Sequence, residues 1–419
     1  MTNLKYLIEQ ISIDAKNAFF NLNQTSAAEK NLLLKEIALS LNNNREFIKS
    51  QNKLDEQEAL KNSLSDSLIN RLLINDKVID YMINNIHSII DMKDIVGKTI
   101  SNKILENGIK LAKIRVPIGV IGVIFESRPN IITDVCALCI KSGNSVILRG
   151  GSEAKNTNYA IINIIEQVIN NHKKFINTVQ MIKIIDKEAV NILCKQNKYI
   201  DLLILRGGES LINAITPIST IPILKHYKGV CHIYVDKMAD IDMAINICIN
   251  AKCQRPGVCN AVETILVHKD IANKFLPLIY NKLIQYNVQI RGDASVQKIL
   301  PGVYPATIED WYSEYLDLII SIAVTNDINR AIKHINYFGS HHSDSIITQD
   351  KSAQNIFCQL VDSAVVYVNA STRFSDGAIF GLGAEIGIST DKLHARGPMG
   401  LNELTTYKWL AIGSGQIRN

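Results

Sequence analysis

Ile118-Gly119-Val120-Ile121-Gly122-Val123-Ile124 is an unbroken apolar run. A strand with one wet face alternates apolar and polar residues. A run without alternation reads as a strand covered on both faces. Just before it, Lys110-Leu111-Ala112-Lys113-Ile114-Arg115-Val116 does alternate, as a half-buried strand does, and Pro117 ends it. After the run the sequence reads as a helix to Lys141, then a second buried strand, Ser145-Val146-Ile147-Leu148, leading into Arg149-Gly150-Gly151-Ser152. A third unit follows as helix Thr157–Asn170 and strand Val179–Ile185. A fourth is helix Lys187–Gln196 and strand Ile200–Leu205, which opens into Arg206-Gly207-Gly208-Glu209-Ser210. Apolar strands alternating with helices specify an α/β fold built on a parallel sheet.

The flanks differ. Residues 1–95 read as helices, with apolar residues at helical spacing in Leu4–Leu22, Glu29–Leu41 and Ala59–Ile90. Thr25-Ser26-Ala27-Ala28-Glu29 and Ser65-Asp66-Ser67 look like helix starts. A second α/β portion begins near Val230, with strand His232–Val235, helix Ile241–Asn250 and strand Ala261–Val267. Lys408–Ile412 reads as an edge strand.

With 419 residues, 47% of them hydrophobic, the chain has the material for two or three domain cores. It has no apolar run long enough for a membrane span, and Met1–Tyr6 lacks the pattern of a signal peptide, so a cytoplasmic protein is expected. The net charge of +5 is spread along the chain without a basic stripe, which argues against a nucleic-acid partner. Eight cysteines in such a chain read as reduced thiols. Cys136-Ala137-Leu138-Cys139 has CxxC spacing but no second pair. On a helix its two thiols share one face, so packing is expected and no metal site.

Four segments can carry chemistry. In Lys252-Cys253-Gln254-Arg255-Pro256-Gly257-Val258-Cys259-Asn260, a glycine precedes a thiol on a turn between helix and strand. Arg255 nearby would raise the thiolate fraction of Cys259, whereas Cys253 lies at the helix end and reads as structural. In Glu126-Ser127-Arg128-Pro129-Asn130, Asn130 sits where a buried strand hands over to a helix. It is either a helix cap or an amide donor to a developing oxyanion. Arg149-Gly150-Gly151 and Arg206-Gly207-Gly208 with Ser210 are two glycine turns of the kind that admit phosphate, and together they favour a dinucleotide site. Gly381-Leu382-Gly383-Ala384-Glu385-Ile386-Gly387 has its last glycine misplaced for a nucleotide loop and is set aside. The polar stretches Val368–Gly377 and His394–Gly400 suit a small anionic substrate, and equally suit solvent.

These segments, in this order, resemble the glutamate-5-semialdehyde dehydrogenases (gamma-glutamyl phosphate reductases), a branch of the aldehyde dehydrogenase superfamily. The likeness is carried by Ile118–Gly151, Asp201–Gly208, Gly229–Asp242, Asn250–Val267, Val361–Asp376 and Gly381–Lys408, and Gln254–Asn260 and Leu393–Gly400 are specific to the branch. The resemblance implies NADPH-dependent reduction of glutamyl 5-phosphate to glutamate 5-semialdehyde with release of phosphate, the second step of proline biosynthesis. Cys259 would form the thioester, and Asn130 with the Cys259 N–H would hold the oxyanion. Arg149, Gly150, Gly151, Arg206, Gly207, Gly208 and Ser210 would bind NADPH/NADP⁺. Arg255, Ser371, Thr372, Arg373, His394 and Arg396 would bind the substrate. No metal is implied.

Hydrolytic relatives carry a water-activating glutamate near the stretch His226-Tyr227-Lys228-Gly229, and its absence here favours a reductase over a hydrolytic dehydrogenase. A non-catalytic protein on the same fold would have lost the thiol or the glycine turns. No amino-acid kinase segment precedes the motifs, so a two-enzyme fusion is not expected. Cys253 stands where relatives often have threonine, and Ala378-Ile379 where they are frequently polar. The resemblance implies a cofactor domain of residues 1–104 and 118–229, a catalytic domain of 230–402, and an oligomerisation flap of 105–117 with 403–419. It also implies a homodimer or homotetramer, with association with glutamate 5-kinase as a further expectation.

Overall fold

Helices α1 (Thr2–Leu22), α2 (Ala27–Asn43), α3 (Arg45–Lys61), α4 (Asp66–Leu72) and α5 (Asp76–Asp91) open the chain. The computed structural model describes residues 2–64, 66–225 and 228–418. Ser26 caps α2 in a full capping box with Glu29, as the sequence suggests. The expected start at Ser65 lies outside the described residues. The long apolar pattern Ala59–Ile90 is not one helix. Asn62 ends α3, Ser63 turns left-handed with φ +52°, and the Asn75 side chain accepts the Val78 N–H to start α5. Asparagine and serine compete with helical hydrogen bonding through their own side chains, so they punctuate a pattern that hydrophobic spacing alone reads through.

Contacts divide the chain into two compact units. The first comprises Met1–Lys225, Gly381–Ile388 and Pro398–Asn419. Its parallel five-stranded sheet uses β3 (Val120–Phe125), β4 (Ser145–Gly150), β5 (Val179–Met181), β6 (Leu202–Arg206) and β7 (Ile223–Leu224), in the order β5-β4-β3-β6-β7. Every residue of β3 is buried, as its unbroken apolar run requires. On one face α1, α8 (Lys187–Leu193) and α9 (Glu209–Ile215) pack on Val120, Ile124, Ile147, Leu203 and Leu205. On the other, α6 (Ile131–Ser142) is buried along its whole length. Beside it lies α7 (Lys155–Asn170), whose first turn is capped from α3. The Asp55 carboxylate accepts the Asn156 N–H at 3.0 Å and the Thr157 N–H at 2.7 Å.

Two elements are shorter than expected. Regular pairing in β5 stops at Met181 rather than Ile185, and α8 ends at Leu193 rather than Gln196. The β5 overrun, Ile182-Lys183-Ile184-Ile185, stays mainly apolar past the end of regular pairing, whereas beyond Leu193 the helix tightens into turns in which the Lys195 N–H donates to the Ile192 carbonyl and the Gln196 N–H to the Leu193 carbonyl. The unit also holds an antiparallel sheet of β1 (Thr99–Ile104), β2 (Lys110–Pro117) and β17 (Thr405–Ile412), with β17 on an edge.

The second unit, His226–Phe380 with Ser389–Gly397, has a seven-stranded parallel sheet. Its strands are β8 (Cys231–Val235), β9 (Val262–His268), β10 (Gln289–Gly292), β11 (Tyr304–Pro305), β12 (Ile319–Thr325), β13 (Ser343–Ile347) and β14 (Val365–Val368), in the order β11-β10-β12-β9-β8-β13-β14. α10 (Ile241–Cys253) packs its Ala244, Cys248 and Ala251 against Ile233, Val235 and Ile265 of the sheet. β15 (Gly387–Ser389) and β16 (Gly397–Met399) are short strands where the chain passes between units. Among the described residues no helix is long and apolar enough to cross a membrane.

Candidate active site

Cys259 lies half-buried on the turn between α10 and β9. The Asp240 side chain caps the start of α10 by accepting the Met243 N–H, and the Ala261 N–H closes the turn onto the Val258 carbonyl at 3.0 Å. The glycine that shapes the site is not the one the sequence points to. Gly257 has no positive φ, and a Cβ there would meet only the Leu316 carbonyl oxygen at 3.6 Å. A Cβ on Gly229 would lie 1.9 Å from the carbonyl oxygen of Cys259 and 2.5 Å from its Cα. Only a residue without a side chain lets these two backbones touch.

Asn260 anchors the turn from its other side. Its side-chain amide donates to the Ser375 carbonyl at 2.8 Å, and its own carbonyl accepts the Thr372 hydroxyl at 2.7 Å. The Arg373 guanidinium bonds to the Asn260 side-chain oxygen and donates to Gln254 at 3.0 Å. Burial, then the neighbouring Arg255, lower the Arg373 pKa, while Cys259 opposes that shift. Two arginines and the thiol therefore share one electrostatic environment.

The other expected substrate residues are differently employed. Ser371 caps a short 3-10 turn by accepting the Arg373 N–H, and Thr372 is bound to Asn260 as described. Arg396 is held by the Asp362 carboxylate at 2.9 Å, beside Lys392, and His394 is exposed. The structure thus joins Arg255, Arg373 and the 371–375 loop to Cys259, whereas Arg396 is engaged at Asp362.

In the first unit, Asn130 precedes α6 with φ −62° and ψ −22°, and its side chain makes no capping hydrogen bond. The capping reading is therefore not what the geometry shows. Asn130 ends a loop in which Ser127 is left-handed with φ +43° and is held there by Glu153, which accepts the Ser127 N–H and hydroxyl.

The two glycine turns differ. At Gly150-Gly151 a Cβ would strike Asn158 and Phe125 or the Glu153 carboxylate, and the turn borders a recess lined by Lys155, Asn158, Tyr159 and Met181. This recess lies at the carboxyl ends of β4 and β5, where open α/β sheets take ligands. The Arg149 guanidinium donates to the Gly150 and Ile185 carbonyls, leaving its buried Nε unpartnered. At the second turn the Gly208 N–H already donates to Glu126 at 2.9 Å, and Ser210 is exposed. A phosphate could take that N–H only once Glu126 moves. Arg206 lies against Gly387, with its Nε buried and unpartnered. Sequence reasoning missed Lys155, Asn158 and Tyr159. A lysine in the first turn of the helix after a glycine turn was the available signal.

The chain matches the model of the aldehyde dehydrogenase family over residues 5–297. It is 47% identical over 411 residues to the gamma-glutamyl phosphate reductase of Citrifermentans bemidjiense, covering 98% of each chain. The crystal structure of the Thermotoga maritima gamma-glutamyl phosphate reductase superposes with a TM-score of 0.95 at 43% identity, covering 98% of this chain and all of that one. The chain belongs to the gamma-glutamyl phosphate reductases, within the aldehyde dehydrogenase family. An engineered glycolyl-CoA reductase solved with NADP⁺ shares the fold, with a TM-score of 0.68 at 14% identity over 97% of this chain and 96% of that one.

The family and the α/β fold read from the sequence are therefore those found. His226, set against the glutamate of hydrolytic relatives, lies outside the described residues. Cys136 and Cys139 of this reductase are both buried in α6, and burial raises both thiol pKa values. Gly381 and Gly383 are both left-handed turn glycines with φ +73° and open no helix, in keeping with setting that stretch aside as a nucleotide loop.

Proposed function

We propose that this reductase converts glutamyl 5-phosphate to glutamate 5-semialdehyde and phosphate through a thioester on Cys259. The observation that carries this reading is the setting of Cys259: a half-buried thiol on a turn fixed by Gly229 and Asn260, with Arg255 and Arg373 close by. The Cys259 thiolate attacks the acyl carbon, a C–S bond forms, and the C–O bond to phosphate breaks. The two arginines favour an anionic substrate and the departing dianion. The amide of Asn130 is the proposed donor to the oxyanion. When bound, NADPH supplies the hydride that reduces the acyl group. Cys259 then leaves as thiolate when the C–S bond breaks and the aldehyde is released.

The cofactor reading fits the Gly150-Gly151 turn, where a Cβ would fill the space and Lys155 offers a cation beside the recess. Arg149 and Arg206, each with a buried unpartnered Nε, stand at the strand ends that precede the two turns. The edge strand β17 exposes Tyr407, Trp409, Leu410 and Ile412, the surface on which the expected homo-oligomer would pair.

The test is the reverse reaction: NADP⁺ reduction with glutamate 5-semialdehyde, with and without phosphate, for the wild type and Cys259→Ala. Activity requiring both phosphate and the cysteine is the expected result. Activity without phosphate would mean a hydrolytic dehydrogenase, and full activity in Cys259→Ala would remove the thioester.

A further inference from the structure

Lys252 and Glu263 stand on either side of the Cys259 turn, Lys252 in the last turn of α10 and Glu263 in the second position of β9. Both side chains are fully buried, and Nζ lies 2.6 Å from Oε2. Taking two charges out of water costs several kcal/mol per ion, and a pair of apolar residues often serves stability as well or better. Such a pair is poor value as a stabiliser alone.

Glu263 reaches Lys252 through a local departure from the sheet. β8 and β9 run in register from His232 opposite Thr264 onward, but Cys231 pairs with Val262. Glu263 is thus the extra residue of a β-bulge. Bulges occur next to active sites, where they re-aim a side chain. The other carboxylate oxygen of Glu263 accepts the Leu316 N–H at 3.5 Å, and the Tyr315 ring lies 5.9 Å from the Lys252 ammonium. Burial pushes the Glu263 carboxyl up to about 8, and the Lys252 charge opposes that shift. Glu314 is the other charged group acting on it. Lys252, at the carboxyl end of α10, also complements the helix dipole.

We propose that the buried Lys252–Glu263 pair is a positioning device for the nucleophile, tying the end of α10 to the bulge in β9 and so fixing the turn that presents Cys259. The proposal rests on the reading of Cys259 as the nucleophile. Neither residue is assigned contact with substrate; both act through the turn.

The experiment compares wild type with Glu263→Asp, Glu263→Gln and the apolar double variant Lys252→Met/Glu263→Leu. It measures kcat, KM and the pH profile of Cys259 alkylation by iodoacetamide, followed at that peptide by mass spectrometry. Folding is monitored by circular dichroism. Glu263→Gln keeps length and an acceptor for Lys252 but removes its counter-charge, so it should cost stability, while the folded enzyme keeps more kcat than Glu263→Asp. Glu263→Asp shortens the tie and the double variant removes it, so each should lose at least about tenfold in kcat with KM little changed, because misplacing a reacting group costs rate. The alkylation profile of Cys259 should shift in the same two variants. A folded Glu263→Asp or double variant with wild-type kcat and alkylation profile would overturn the proposal. If the double variant does not fold, Glu263→Asp alone decides. Cys259→Ala run in parallel separates the two readings. Full activity there removes the nucleophile, whereas the alkylation profile still reports whether the pair positions the thiol.

Discussion

The thiol of Cys231 donates to the carbonyl oxygen of Cys259 at 3.2 Å. Two residues earlier, Gly229 leaves room for that same carbonyl. One short segment at the start of β8 therefore both admits and anchors the Cys259 peptide.

Gly229→Ala should displace Cys259. The added Cβ would sit 1.9 Å from backbone, which no side-chain rotation relieves. Turnover is expected to fall by about a hundredfold, the scale associated with ~1 Å of misplacement at a reacting centre. Steady-state kinetics on folded protein check this, and an unchanged kcat would mean the strand can yield without moving the thiol.

Cys231→Ser keeps a donor for the Cys259 carbonyl, while Cys231→Ala does not. Burial raises the Cys231 thiol well above its ordinary range, so it remains an S–H donor at neutral pH. The alanine variant should lose about 1 kcal/mol of stability and some rate, and the serine variant less of both. Equal behaviour of the two would remove the hydrogen bond from the account.

Asn130→Ala should slow turnover by about a hundredfold, the cost of losing one oxyanion donor, while leaving dinucleotide affinity nearly intact. A wild-type rate would return Asn130 to a purely structural place before α6.

Asp55→Ala should destabilise the first unit. The buried carboxylate holds the first turn of α7 through two backbone N–H groups and the Thr157 hydroxyl. Losing it strands those donors, at a cost of about 2–4 kcal/mol. Urea unfolding monitored by circular dichroism gives the value.

His342 makes stability pH-dependent in the acid range. Burial pushes this fully buried imidazole down to about 4, against the opposing charges of Asp344 and Glu314. An unfolded histidine titrates near ~6.5. Between those values the unfolded chain holds the extra proton, so the contribution is complete above about 6.5 and is lost as pH falls toward 4, by about 1.4 kcal/mol per pH unit. Urea midpoints at about pH 7 and about pH 5 should differ by less in His342→Gln than in wild type. An identical drop in both would assign the acid sensitivity to other groups.

The sheet of the first unit was legible because periodicity reports burial directly. β3 could be read from its run of apolar residues, and its neighbours from the same signal. Boundaries were less legible. At β5 the apolar pattern outruns regular strand pairing, and beyond Leu193 α8 gives way to tighter turns. Between Ala59 and Ile90 the helix start at 65–67 was readable, but the break before α5, where the Asn75 side chain accepts the Val78 N–H, was not.

At the site, residue type located Cys259, because a thiol on a glycine-containing turn between helix and strand is a chemical signal in one stretch of chain. Sequence likewise determined the family, the order of elements and the glycine turns. What the tertiary structure alone decided is which groups hold the turn that carries the thiol. Gly229 and Cys231 meet the Cys259 carbonyl, Arg373 meets Asn260, and Lys252 meets Glu263. Gly229 lies thirty residues from Cys259 and Arg373 more than a hundred from Asn260. Such contacts depend on strand order and register, and a single bulge at Glu263 sets one of them. Local sequence preference carries no term for a partner so distant along the chain.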